Sequence, residues 1–134
     1  MKILKKMSRK KKMKKIYLAI SYSSMKESSY VQANEATAII MNKGINVFSP
    51  ISHCHIIAKE HQLPTSWDYW MQIDFQFIDW AEEVWVLIPK EGVQYLHDSP
   101  GVNAEIKYAK NKNLPINFIK IVDGEVQFID YIWS

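Results

Sequence analysis

A single cysteine, Cys54, leaves no partner for a disulfide within the chain and is compatible with a reducing compartment. No apolar run approaches the roughly 18 to 20 residues of a membrane-spanning helix, and no signal-peptide apolar segment follows the basic start. A cytoplasmic protein without a membrane partner is therefore expected. Internal repeats are also lacking. Basic charge is scarce where a polyanion would need it. Nine of the 17 Lys and Arg residues fall between Lys2 and Lys15, leaving eight basic against 14 acidic residues, a balance of −6, in the remainder. A body of that sign lacks the surface for gripping nucleic acid.

What is present suits one folded unit. The 134 residues fit one domain, and 48% apolar with 13% aromatic residues supply ample material for a core. Residues 1–14 read as a basic, solvated and disordered tail, with contact to nucleic acid or anionic lipid as the functional alternative. Met13-Lys14-Lys15 leads directly into the first strand-like run, so Met13 is a second candidate for the natural start. Residues 15–134 form the expected domain.

Hydrophobic patterning gives the order of elements. Ile16 to Ile20 is a continuous apolar run, the mark of a strand buried on both faces. Ser21 to Ser29 reads as a loop, Val31 to Lys43 as a helix stopped by Gly44, and Ile45 to Phe48 as a second strand ended by Ser49-Pro50. A loop carrying His53, Cys54 and His55 is expected next. Ser66 to Ala81 has helical spacing, Glu83 to Ile88 is the strongest strand signal, and Pro89 to Asp98 reads as a loop. Ser99-Pro100 has N-cap and first-turn chemistry for a helix through Val102, Ile106 and Ala109, and Pro115 to Val122 is a fourth strand. Asp123-Gly124 is a tight turn, after which Glu125 to Asp130 either returns as a hairpin or continues as a fifth strand.

Strands separated by helices need crossover connections. The predicted fold class is thus a single-domain α/β, flavodoxin- or Rossmann-like three-layer sandwich, with a mostly parallel sheet of four to five strands. Ligands in such sheets bind beyond the carboxyl ends of the strands. That rule gathers Ser21 to Ser24 (Tyr22 among them), Ser49 to His55, and Pro89 to Asp98 around one crevice.

Two carboxylates break the apolar pattern. Asp74 shares a helical face with Trp67, Trp70, Met71, Phe77 and Ile78, and Glu105 lies on or beside the inward stripe of the helix that begins near Ser99. A carboxylate turned inward is paired, hydrogen-bonded or functional, because its charge is costly to bury. Unpaired amides near Ser99, Gly101 and Val102 make an anion site, where a glycine admits a ligand close to the backbone. His53 and His55 are candidates for a phosphate or ring contact, with capping or solvation as the alternative. Three neighbours on a short loop rarely serve as metal ligands, so no metal is expected. Trp67 or Trp70 is a candidate for stacking a base, and core packing is the alternative.

Three segments, YLAISYS (Tyr17 to Ser23), Asp74 through Ala81 to Val86, and SPGVNAE (Ser99 to Glu105), resemble the nucleoside 2-deoxyribosyltransferase-like superfamily near the deoxynucleoside 5′-phosphate N-hydrolases. The resemblance runs from Lys15 to Ile119. VFSPISHCHIIA followed by LPTSWDYW is similar to an uncharacterised bacterial and phage branch. The resemblance implies Glu105 as nucleophile, Asp74 assisting the leaving base or orienting the sugar, Tyr17 as the strand-end tyrosine, and Ser99 binding a 5′-phosphate. It implies cleavage or transfer of an N-glycosidic bond through a glycosyl-glutamate, a nucleoside or nucleotide as small-molecule partner, no cofactor, and a homo-oligomer. Lys107 stands where the transferases carry glycine, and Ile20-Ser21 replaces their usual opening. These departures motivate the alternative of a non-catalytic nucleotide-binding module that senses or sequesters its ligand.

Overall fold

The computed structural model describes residues 13–23 and 25–134, so the expected tail over residues 1–12 and the crevice position Ser24 lie outside the described residues. Lys14 is tied into the fold: its carbonyl accepts from the Asn46 amide at 2.9 Å and its Nζ pairs with Glu83 at 2.7 Å.

Strand β1 (Lys15–Ala19) is followed by helix α1 (Lys26–Asn42) and strand β2 (Asn46–Phe48). Helix α1 starts earlier than its spacing predicts. Ser28 and Ser29 favour loops when their hydroxyls compete for the local backbone. Here Ser29 donates to the Ser21 carbonyl and Ser28 to Glu91 at 2.5 Å, and both are absorbed into the helix.

Helix α2 (Pro50–Glu60) corrects the expectation of a loop around His53 to His55. Ser49 caps it by accepting from the Ser52 amide at 3.3 Å, and Pro50 sits at the first helical position. Ser49-Pro50 therefore ends the strand and starts a helix together. Helix α3 (Trp67–Trp80) and strand β3 (Glu83–Leu87) match their patterns. The predicted Pro89 to Asp98 loop contains a short helix, α4 (Gln94–His97). Helix α5 (Pro100–Asn111) has Ser99 as its cap, accepting from the Val102 amide at 3.2 Å.

Strands β4 (Ile116–Val122) and β5 (Glu125–Ile129) form an antiparallel hairpin, which resolves the open choice for the last strand. Its turn needs left-handed backbone at both central residues, supplied by Asp123 at φ 51° and Gly124 at φ 73°. The sheet order is β2-β1-β3-β4-β5, parallel except for β5. The architecture is the predicted mostly parallel α/β sheet.

Alternation along β1 divides the core. Ile16, Leu18 and Ile20 pack with Ala33, Ala36 and Ile40 of α1 on one face. Tyr17 and Ala19 join Ile78 of α3 and Val102 and Ile106 of α5 on the other. Helices α3 and α5 are clamped together: Phe75 stacks on Tyr108 with ring centroids 4.1 Å apart, and Tyr108 donates to Asp79 at 2.7 Å. Lys112 forms an ion pair with the same Asp79. Because β2 and β3 flank β1, the chain reverses direction across the sheet there, and the crevice of an open α/β sheet is expected beside it.

Candidate active site

The period of two on β1 sends Tyr17 to the α3–α5 side of the sheet, where its fully buried hydroxyl donates to Glu105 Oε2. Glu105 lies on the inward stripe of α5 among Val102, Ile106 and Ala109, spaced as one helical face. It is 8% exposed. Burial, then the nearby Asp74 carboxylate, pushes its carboxyl up to about 8, against the opposing pull of the Tyr17 hydrogen bond. The Tyr17 phenol is driven well above its ordinary range by burial first, then by Glu105 and Asp74.

Asp74 comes from α3, and burial pushes it up to about 7. Its Oδ1 has no hydrogen-bond partner among the described residues. Asp74 and Glu105 line one cavity, with about 800 Å³ of atom-free space that includes its open mouth. Ile20, Ile51, Trp70, Met71 and Phe75 give the cavity apolar walls. Two carboxyl groups in such surroundings titrate as a pair, each holding its proton to higher pH than a carboxyl in water.

The structure gathers most of the predicted positions here and separates others. Tyr22, His55, Trp67, Ser99 and Gly101 line the cavity with Asp74 and Glu105. Trp67 is 39% exposed at its edge. The Ser99 hydroxyl is occupied as a helix cap by the Val102 amide, the Ser99 amide donates to the Leu96 carbonyl and Pro100 has no N–H, so, against the expectation of several unpaired amides, the Gly101 amide is the donor left in that first turn among the described residues. A Cβ built on Gly101 would meet only Ser99 Oγ, at 3.8 Å, so open space lies above that first turn.

Three placements correct the sequence expectation. His53 is exposed and packs against Phe48 outside this cavity wall, because residues two apart on a helix face different ways and α2 turns only His55 inward. Ser21 is buried behind the wall, its hydroxyl against the Met25 sulfur at 3.4 Å. Pro89 to Asp98 does not line this cavity. Gln32 of α1 holds that segment from behind, accepting from the Lys90 amide at 2.9 Å and donating to Glu91 at 2.8 Å.

Sequence reasoning missed Glu27, which reaches His55 Nε2 at 3.0 Å, because the loop reading of Ser21 to Ser29 hid its helical position. Cys54, gathered into the crevice with Ser49 to His55, does line the cavity, and its thiol is pushed up to about 11 by burial, then by Asp74. Such a thiol stays protonated and is a poor nucleophile. Among the described residues, no cluster of three His, Cys, Asp or Glu side chains is arranged to hold a metal ion. No helix among them is long and apolar enough to cross a membrane.

The model of a domain of unknown function, DUF1937, matches residues 14–120. No curated protein matches the chain in sequence. Among solved structures, a 2-deoxyribosyltransferase from the psychrotolerant bacterium Bacillus psychrosaccharolyticus is similar, with a TM-score of 0.54 and 22% sequence identity. The match covers 84% of this chain and 77% of that one. Together these bear out, at the level of the fold, the resemblance to the nucleoside 2-deoxyribosyltransferase-like superfamily in an uncharacterised branch.

Proposed function

The chain belongs to the DUF1937 domain family, and from its fold and carboxylate-lined cavity we propose that residues 15–134 cleave or transfer the N-glycosidic bond of a deoxynucleoside or its 5′-monophosphate. The observation that carries this reading is the pairing of Glu105, buried, with Asp74, half-buried, carboxyl groups on separate helices at one apolar cavity.

In this mechanism a Glu105 oxygen attacks the anomeric carbon as the carbon–nitrogen bond breaks. The bond's electron pair goes to the base nitrogen, which takes the proton held by Asp74. Tyr17 favours charge on Glu105 by donating to it, and so favours the proton on Asp74. Water, or a second base, then attacks the glycosyl ester, returning a proton to Asp74 and releasing Glu105. Two carboxyl groups dividing nucleophile and acid roles give retention at the sugar carbon, as in retaining glycosidases. The Gly101 amide, at the positive start of α5 with open space above it, offers a 5′-phosphate a donor. This favours hydrolysis of a monophosphate over base exchange.

Binding without turnover is the second reading. It draws support from the rise of Glu105 to about 8, which leaves the nucleophile of the empty site largely protonated at neutral pH. The departure at Lys107 lends it little, since that side chain is exposed and outside the cavity wall. A homo-oligomer is also part of the proposal. Only Ile78 of α3 is fully buried, although that helix carries Trp67, Tyr69, Trp70 and Trp80. Light scattering at the monomer mass would remove that element.

The test is release of free base from a panel of deoxynucleosides and their 5′-monophosphates, comparing the protein with Glu105→Ala. Glu105-dependent release upholds the glycosidic reading and identifies the substrate. Binding without release transfers the site to the second reading.

A further inference from the structure

Tyr22, on the loop between β1 and α1, and His55, on the inner side of α2, both contribute to the cavity wall. His55 is 5% exposed and both of its ring nitrogens are engaged. Nε2 faces Glu27 Oε1 at 3.0 Å, and Nδ1 lies 2.7 Å from the Tyr22 hydroxyl. The ring is stacked on Tyr30 with centroids 4.5 Å apart, and Lys59 donates to the same Glu27 oxygen at 3.3 Å. Three elements thus hold this chain of contacts in one orientation.

The direction of the hydrogen bonds follows from the end of the chain. Lys59 first, then His55, hold Glu27 below its ordinary range, so it is an ionised carboxylate that can only accept. The imidazole nitrogen facing it must carry the hydrogen. In the neutral ring the other nitrogen is then a lone pair. That lone pair accepts from Tyr22, whose phenol burial keeps protonated. With its one proton committed to His55, the Tyr22 oxygen presents lone pairs to the cavity.

We propose that the Glu27–His55–Tyr22 chain makes Tyr22 a specificity-determining acceptor, selecting a base with an exocyclic amino group over the same ring without one. Glu27 and His55 act through it as positioning residues. This inference rests on the nucleoside reading above. A phosphate brings no proton to such an acceptor near neutral pH, and the donor it would seek is the Gly101 amide at the α5 start. The base brings both an N–H and an apolar ring face, which suits the neighbouring Pro50, Ile51 and Ala58.

The experiment compares 2′-deoxyadenosine 5′-monophosphate with the purine 2′-deoxyriboside 5′-monophosphate that lacks only the amino group. Dissociation constants are taken by calorimetry on the full chain carrying Glu105→Gln, so that ligand is not consumed, at mildly alkaline pH. The amino ligand should bind about five- to tenfold more tightly, the value of one neutral hydrogen bond. Tyr22→Phe should abolish the preference. Glu27→Gln, outside the cavity wall, no longer dictates the tautomer and should cut the preference to about twofold without unfolding the protein. A purely structural role for Glu27 would weaken both ligands alike. Equal binding of the two ligands, or a preference that survives Tyr22→Phe, overturns the assignment of Tyr22 and leaves the glycosidic reading standing. Binding of neither ligand overturns both. A preference in the Glu105→Gln protein, with no base released by the wild type, keeps Tyr22 as selector and removes the glycosidic reading.

Discussion

Replacing Glu105 with glutamine should make the protein more stable while removing its chemistry, and the gain should depend on pH. The Glu105 carboxyl rises from 4.5 to about 8 on folding, chiefly through burial. Between those values the folded protein retains a proton that the unfolded chain has released, so stability is full on the acid side and falls as pH rises through the window. At 1.36 kcal/mol per pH unit, a rise of that size amounts to at most about 5 kcal/mol lost above about pH 8. Glutamine has nearly the same shape, carries no charge, and keeps a carbonyl oxygen to accept from Tyr17. Urea unfolding of wild type and Glu105→Gln should therefore coincide near about pH 4.5, where both groups are neutral. Near about pH 8.5 the variant should be the more stable by several kcal/mol, with a Tm gain on the order of 10 °C. An equal difference at both pH values, or a wild type more stable at the higher one, would refute the view of Glu105 as an unfavourably buried charge.

Three further outcomes follow from the same geometry. Asp74→Asn removes the neighbouring charge that helps raise Glu105, so the alkaline loss of stability should shrink and base release should fall at least about 100-fold, the lower range for a general acid; pH-dependent unfolding and a base-release assay check the two parts. Tyr17→Phe removes the hydrogen bond that lowers Glu105, and the acid limb of the rate profile should move to higher pH, as measured by kcat against pH. Ser49→Ala removes the cap of α2 and should cost about 1 kcal/mol in urea unfolding without altering the ligand preference set by Tyr22.

Much of the fold was legible because strands and amphipathic helices have different periods. The β1 run, the α3 stripe with its misplaced Asp74 and the Ser99-Pro100 start of α5 all stand where pattern and turn chemistry put them. The errors have physical causes. Ser49-Pro50 carries the same cap-and-proline signal as Ser99-Pro100, but following a strand it was read only as a stop. The beginning of α1 was hidden because its serines find partners outside the helix, Ser29 at the Ser21 carbonyl and Ser28 at the distant Glu91, which no local window contains. Tyr22 and His55 were legible as crevice-lining residues, whereas the link through Glu27 depends on how α1 packs against α2. His53 was misplaced with them because a loop assigns no facing, while a helix separates neighbours two apart.

The clamp between α3 and α5 determines how far apart the two carboxyl groups stand. Asp74 and Glu105 ride on different helices, so their separation is not fixed by chain connectivity. It depends on Phe75, next to Asp74, lying on Tyr108, and on Asp79 holding Tyr108 and Lys112. For paired carboxylates in glycoside chemistry, a spacing of about 5 Å goes with a covalent route, and one of about 6.5 Å or more admits water between them. Substitutions in this clamp can therefore retune the reaction without touching a ligand, in the way that a hinge sets the gap of a pair of jaws.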